Sequence, residues 1–221
     1  MQVRENLELE IGRENQQVRG SWSAIAKPGN PLMKRTLLYL AILILCAIGG
    51  GVAVVTIFPM RHLDTIERYA AAYDLSPAFV AAIIHAESRF REGAVSHAQA
   101  KGLMQIMPST GEWLAELLGI EGFTTDNLFE PETSIRMGSF YIRHLLDMNE
   151  QDTRRALAAY NAGTGNLRRW LADPELSSDG TTLEHIPFGE TRTYVDRVMF
   201  NQRIYDILFA IRRIFQPILN N

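Results

Sequence analysis

The sequence predicts an all-α domain carried behind a single membrane-crossing helix, and three observations lead there. Residues 36 to 58, TLLYLAILILCAIGGGVAVVTIF, contain no charged side chain and reach the ~20 residues that cross a bilayer. After them, apolar residues recur at three- and four-residue intervals, with prolines at helix starts and glycines at helix stops. No run alternates with period two for long enough to propose a sheet.

The span is expected to stay attached as an anchor. A core helix apolar all round at this length is improbable for a small domain, and a cleaved signal peptide has a shorter apolar region nearer the N-terminus. Lys34 and Arg35 abut its first end, with Lys27 close by, whereas Arg61 alone flanks the other. The positive-inside rule then places residues 1 to 35 in the cytoplasm and everything after the span outside the cell membrane. Cys46, the only cysteine, falls inside the span. The exported part therefore has no disulfide and must be held by its core. The tail, including RENLELEIGRENQQVRG, lacks sustained apolar periodicity and is expected to be flexible. Removing its six Lys/Arg and four Asp/Glu from totals of 22 and 25 leaves 16 against 21. That mildly acidic balance argues against nucleic acid and against a polybasic lipid-binding surface.

The exported domain, residues 62 to 217, reads as helices in series. Leu63 to Tyr73 is a short amphipathic helix. Ser76-Pro77 opens the next, with serine as cap and proline at the first helical position. AVSHAQAKGLMQIM has little helical period and reads as an irregular, partly extended connection. Pro108 starts a helix with Trp113, Leu114, Leu117 and Leu118 on one face. Pro131 starts another, through about Met148, with Ile135, Phe140, Tyr141, Leu145 and Met148 inward. TRRALAAYNAG is a further helix stopped by Gly163 and Gly165. After a polar loop over Asp173 to Thr182, Pro187 leads into a last long helix through about Phe215. The broad apolar face of residues 204 to 215 is expected to pack back on the domain's first helix.

One residue breaks the pattern. Val80, Ile83, Ile84 and Glu87 fall at i, i+3, i+4 and i+7, so Glu87 continues a stripe that should be buried. A carboxylate there must find partners or keep its proton with a raised pKa, unless it simply turns out to solvent from the helix end.

The five histidines (62, 85, 97, 144 and 185) are scattered, with no HExxH spacing. No G-x-S-x-G elbow, P-loop or strand-linked GxGxxG is present. Neither metal nor cofactor is expected. Glycoside chemistry remains, because it needs only carboxylates, one of them holding a proton in an apolar setting.

Four segments occur in order: HAESRF (85–90), GLMQIMPSTG (102–111), ALAAYNAGTGN (156–166) and IPFGETRTYV (186–195). Together they resemble the catalytic domain of the soluble lytic transglycosylases, over nearly all of residues 63 to 205. The resemblance implies a helical fold related to goose-type lysozyme and activity on bacterial cell-wall glycan, with peptidoglycan strands as the partner. It implies that Glu87 is the single acid/base and Ser88 its supporting neighbour. Gly102, Leu103, Met104 and Gln105 match the segment lining the cleft beside the acid. Tyr160 and Asn161 match the segment facing the glutamate, and Glu190, Thr191, Arg192 and Tyr194 match the one closing the site. Several of these have plainer readings. Met104 suits a core gap-filler, and Gly102 and Gly163 suit turns. The Tyr160 hydroxyl suits a buried pairing with backbone, and Glu190 suits a helix start favoured by the dipole.

Retaining glycosidases place a second carboxylate ~5 Å from the acid as nucleophile. The family that this chain resembles uses none. In it the N-acetyl group of muramic acid assists departure, and the sugar's own C6 hydroxyl closes a 1,6-anhydro ring. A plain muramidase and a catalytically idle wall-binding module are the alternatives; the mass of the products separates the first and the intact motif set speaks against the second.

Overall fold

The structure is a computed structural model, and it describes residues 31–219. The expected flexible tail lies, apart from its last five residues, outside the described residues. Among the described residues no strand forms, and the elements are helices and turns. The chain divides into two units at Ile57.

The first unit contributes helix α1, Pro31–Ile57, which starts five residues before the uncharged stretch and ends one residue before its close. Its mean hydropathy reaches 2.7 over the most apolar window, and among the described residues it is the one helix long and apolar enough to cross a bilayer. Leu43 and Leu45 are among its widely exposed side chains. The hydroxyls of Thr36 and Thr56 donate to the carbonyls of Leu32 and Val52 one turn back, at 3.0 and 2.8 Å. Their polar atoms are thereby satisfied within the helix, as an apolar solvent would require.

The second unit begins at Phe58. Its helices are α2 (Leu63–Ala72), α3 (Pro77–Ser88), α4 (Pro108–Leu117), α5 (Pro131–Met148), α6 (Thr153–Ala162), α7 (Thr164–Leu171) and α8 (Gly189–Leu219). A 3-10 turn over Thr125–Phe129 precedes α5. The segment between α3 and α4 is irregular, as expected, with isolated bridges from Lys101 to Val95 and to Ile106.

α3 organises the unit. Every residue from Ala78 to Ile84 is buried, so the helix is apolar on all sides and not along one stripe. α8 packs along it most extensively, and α2 along another side. Each fully buried Ile or Val contributes roughly 1.5–3 kcal/mol of transfer free energy. Ser76 sits at the N-cap with extended backbone, but its side chain makes no capping bond; Pro77 at the first position carries the start alone.

Tyr205 of α8 clamps the far end of α3. Its side chain is fully buried, its ring lies 5.9 Å from His85 and 6.2 Å from Phe90, and its hydroxyl donates to the Pro59 carbonyl at 3.2 Å. Two turns further, Arg212 pairs with Glu67 of α2. The expected apolar packing of residues 204–215 on the first helix of the domain does not form: Ile207, Ile211, Ile214 and Phe215 stay exposed, because α8 packs along α3 and meets α2 through the Arg212 ion pair.

Some inward assignments need correction. On α4 the buried face is Gly111, Leu114 and Ala115, while Trp113 and Leu117 are 39% and 52% exposed. The short helix meets the core along one narrow line, and the residues flanking it face out. Met148 is likewise exposed at the last residue of α5, where Leu145 and Leu146 already fill the contact. Gly163 stops α6, but Gly165 stops nothing: it lies inside α7, a helix that the glycine pair concealed.

Truncating Tyr205 to alanine should cost about 3–5 kcal/mol through the cavity left at the α3–α8 contact. Tyr205→Phe, losing only the bond to Pro59, should cost about 1 kcal/mol. Urea melts followed by circular dichroism, with the full chain in detergent, check both.

Candidate active site

The last turn of α3 carries Glu87 out of the buried helix body. The helix stops at once, because Arg89 and Phe90 both adopt left-handed backbone, with φ of 52° and 60°. Two consecutive non-glycine residues in this region are costly. Here the turn is fixed by burial of the Phe90 ring, 2% exposed, and by the Arg89 amide donating to the His85 carbonyl at 3.1 Å. Ser88 turns inward, and its hydroxyl donates to the Ile84 carbonyl at 3.2 Å. Its support of Glu87 is through the helix end, not by touching the carboxyl.

Glu87 is partly buried. Burial pushes its carboxyl up from 4.5 to about 7. The Tyr194 hydroxyl and the Arg197 guanidinium pull the other way, and Glu190 adds a smaller push upward. The Tyr194 side chain is buried, and its hydroxyl makes no conventional hydrogen bond. It faces the Glu87 carboxyl near enough to favour the ionised form. Tyr160 and Tyr194 are both held well above their ordinary pKa, first by burial and then by the Glu87 charge. Both phenols thus stay protonated while the Glu87 carboxyl gains or loses its proton.

The loop carrying G-L-M-Q is held from behind. Gly102 has φ of +76°, and a Cβ there would lie 1.8 Å from the Leu128 carbonyl oxygen. Only glycine fits both the backbone and the space. Met104 is fully buried, with its amide donating to the Ser134 hydroxyl at 3.2 Å. Its side chain packs where a Cβ on Gly138 would collide with the sulfur at 2.3 Å. Met104 therefore offers no surface to a ligand, and the gap-filling reading is the right one for its side chain. Its carbonyl accepts the Tyr160 hydroxyl at 2.9 Å, tying the loop to α6. Gln105 also has positive φ, 47°, and its amide donates to the carbonyls of Ala94 and Gly102 at 3.1 and 3.0 Å.

Beside this lies a cavity of about 240 Å³ whose walls include Gln105, Thr110, Tyr141, Tyr160 and Asn161. Glu87 is not in its lining. Tyr160 joins the two, since it lines the cavity and feels the Glu87 charge. Glu190, in the first turn of α8, is exposed and reaches Glu87 only through its field. The structure thus gathers Glu87, Tyr160, Tyr194, Gln105 and Asn161, with Glu190 at the edge; Ser88, Gly102 and Met104 stand behind them as support.

Two contributors escaped the sequence reading. Arg197 acts on Glu87, and its signal was available: it follows Glu190 and Tyr194 at i+7 and i+3 on one helix face. Tyr141 is inward-facing by periodicity. It lines the cavity, with its ring 5.2 Å from Tyr160, and no sequence signal separates that from burial.

A family model described as transglycosylase SLT domain matches residues 64–179. The soluble lytic murein transglycosylase of Escherichia coli (strain K12) is 33% identical over 150 residues, covering 67% of this chain and 23% of that protein. Membrane-bound lytic murein transglycosylase C of Salmonella arizonae is 29% identical over 167 residues, covering 66% of this chain and 46% of its own length. Among solved structures, an inactive mutant of lytic transglycosylase Slt from Pseudomonas aeruginosa is 37% identical with a TM-score of 0.63, covering 69% of this chain and 25% of that one. The 70 kDa soluble lytic transglycosylase of Escherichia coli is 30% identical with a TM-score of 0.64, covering 71% and 26%. The chain thus spans 23% to 46% of the length of these relatives.

The raised Glu87 pKa has a measurable consequence for stability. Between 4.5 and about 7 the native state binds a proton that the unfolded state has released. Over that window this group's contribution falls as pH rises, and it is level above. Glu87→Gln removes the effect, so the variant should gain on wild type toward neutral pH, by up to about 3 kcal/mol. Urea melts at acid and neutral pH test this; a constant difference would mean that the carboxyl titrates normally.

Proposed function

The chain belongs to the transglycosylase SLT domain family, and we propose that it is a membrane-anchored enzyme that cleaves peptidoglycan glycan between N-acetylmuramic acid and N-acetylglucosamine, leaving 1,6-anhydromuramic ends. One observation carries this: a single partly buried carboxyl, Glu87, keeps its proton to about pH 7 beside a tyrosine-walled cavity. The names of its relatives, lytic murein transglycosylases both soluble and membrane-bound, support the same reading.

Protonated Glu87 gives its proton to the glycosidic oxygen as positive charge grows at the anomeric carbon. It is then a carboxylate, which the Tyr194 hydroxyl and Arg197 stabilise. That carboxylate takes the proton from the C6 hydroxyl of the muramic sugar, whose oxygen closes on the anomeric carbon. The attacker is tethered, so proximity replaces a bimolecular step and no second enzyme carboxylate is needed. The acid is restored when the ring closes. The remaining carboxylate near it, Glu190, is exposed and suits the shaping of the cleft's edge. Tyr160, fixed to the Met104 carbonyl, suits a wall that positions sugar; Gln105, whose amide N–H groups are taken by Ala94 and Gly102, offers its side-chain carbonyl oxygen, and Asn161 its amide, to N-acetyl and hydroxyl groups.

α1 supports anchoring in the cell membrane, with the tail inside and the domain outside, from the basic flank at Lys34 and Arg35. Protease added to wall-stripped cells should digest the domain and spare the span. A domain protected until lysis would overturn this orientation.

Glu87→Gln keeps size and hydrogen-bonding reach but moves no proton. Digestion of purified sacculi by the full chain in detergent should fall at least about 100- to 10,000-fold, because one group serves both steps. Glu190→Gln should cost less. Mass spectrometry of the wild-type products should show anhydro-muropeptides. A near-normal rate for Glu87→Gln would remove the acid assignment, and products heavier by one water would make the enzyme a muramidase.

A further inference from the structure

α8 carries an apolar face that stays open among the described residues. Phe200, Ile207, Ile211, Ile214 and Phe215 are between 46% and 68% exposed. They stand on the side of the helix opposite Tyr194, Val198, Tyr205 and Phe209, which belong to the core. Apolar side chains scattered singly on a surface need no explanation, but five bulky ones aligned over about four turns form a patch that soluble monomers rarely show. Nor does this face hold the fold together. α8 is fixed from its other side, by the buried residues, by the Tyr205 hydroxyl on the Pro59 carbonyl and by Arg212 on Glu67.

Three observations point to lipid as the covering. The first is the path of the chain. α1 ends at Ile57, and the next residue, Phe58, already belongs to the second unit. The Phe58 ring meets Tyr205 edge-on at 5.8 Å, and the Pro59 carbonyl holds the Tyr205 hydroxyl. The chain therefore enters this unit at the middle of α8. Phe200 and Phe215 lie about 8 and 15 Å from Tyr205 along the helix, comparable with the ~5–10 Å depth at which interfacial helices sit. The second observation is charge. Residues 200 to 215 hold Arg203, Arg212 and Arg213 against Asp206 alone, within an acidic domain. Arg203 and Arg213 are exposed, and Ile and Phe on one side of a helix with Arg beside them mark one that lies in a membrane surface. The third argues against a second copy of this chain. Positions 200, 204, 207, 211 and 214 do follow the four-three spacing of a coiled-coil seam. The seam runs for only two heptads, where a coiled coil sustains three or more. Its flanking positions 205 and 212 are also taken, Tyr205 by the core and Arg212 by Glu67.

We propose that this face of α8 is a lipid contact. Phe200, Ile207, Ile211, Ile214 and Phe215 enter the boundary between headgroups and acyl chains, and Arg203 and Arg213 reach lipid phosphates on their long stems. The inference rests on the reading of α1 as a membrane span. The contact gives the domain a second hold on the bilayer besides the covalent one, and it leaves the core side of α8 free to pack on α3.

The test uses the full chain reconstituted in vesicles of phosphatidylethanolamine and phosphatidylglycerol. A small fluorophore is placed on one cysteine at a time, with nitroxide lipids as the quencher inside the bilayer and iodide on both sides in the water. The positions are native Cys46 in α1 and, in a Cys46→Ser background, Ile211→Cys on the open face and Glu116→Cys on α4, which is also exposed. Ile207→Cys repeats the measurement at a second point of the face. The labels at 207 and 211 should be quenched by nitroxide lipid several-fold more than the one at 116, and by iodide several-fold less. Iodide reaching 211 as freely as 116 overturns the proposal. A label at 211 shielded from both quenchers also overturns it, since a second copy or another protein then covers the face. Cys46 reports on the span separately. Lipid quenching at Cys46 without quenching at 211 strikes this contact alone, whereas quenching at neither strikes the anchor as well.

Discussion

The domain depends on one constraint: α3 is apolar on every side and has to be enclosed. Residues Ala78 to Ile84 offer no face to water, α2 and α8 pack along them, and the helix is less buried at its last turn, His85 to Glu87. Without cysteines in this part of the chain, that enclosure supplies the stability that disulfides give many small exported domains. The buried body of the helix is why its last turn is a useful place for chemistry. A carboxyl at the lip of a closed core loses enough hydration to hold its proton, yet stays within reach of a ligand.

Holding that carboxyl requires strain nearby, and the core supplies it. The left-handed pair Arg89–Phe90 reverses the chain immediately after Ser88, with the buried Phe90 ring as the fastening. Gln105 and Gly102 carry the same kind of backbone in the loop opposite. That loop is tied twice: from below by Ser134 to the Met104 amide, and from the side by Tyr160 to the Met104 carbonyl. Unfavourable local conformations gathered around a site and fixed by tertiary contacts are a common signature of preorganisation. Met104, whose side chain never meets solvent, matters because its main chain joins both ties.

The electrostatics follow the same division between core and rim. Burial raises Glu87, while Tyr194 and Arg197 keep the ionised form attainable. The tuning comes from α8, the helix that also closes over α3, so acid strength and core packing are set by one contact. The cavity, by contrast, is walled by the loop carrying Gln105 and by α4, α5 and α6. The cavity and the Glu87 carboxyl thus rest on different helices, with Tyr160 lining the one and feeling the charge of the other.

Much of this was legible in the chain. Proline starts at 77, 108 and 131 marked three helices to the residue, because a fixed φ and a missing N–H suit only the first turn. The motif segments marked Glu87, Tyr160 and Tyr194, and the uncharged run marked α1. The sequence by itself determined which residue types stand at the site, since those are properties of local spacing and side-chain chemistry. Only the tertiary structure decided what each could touch. Trp113 and Leu117 fell outside the core because a ten-residue helix meets its neighbours along one line. Met104 fell inside because Gly138, distant in sequence, left room for it. Arg197 and Tyr141 joined the site because α8 and α5 bring them there. Periodicity says which side of a helix is apolar, but contacts between helices fix how much of that side is covered, and the pKa of a carboxyl depends on the covering.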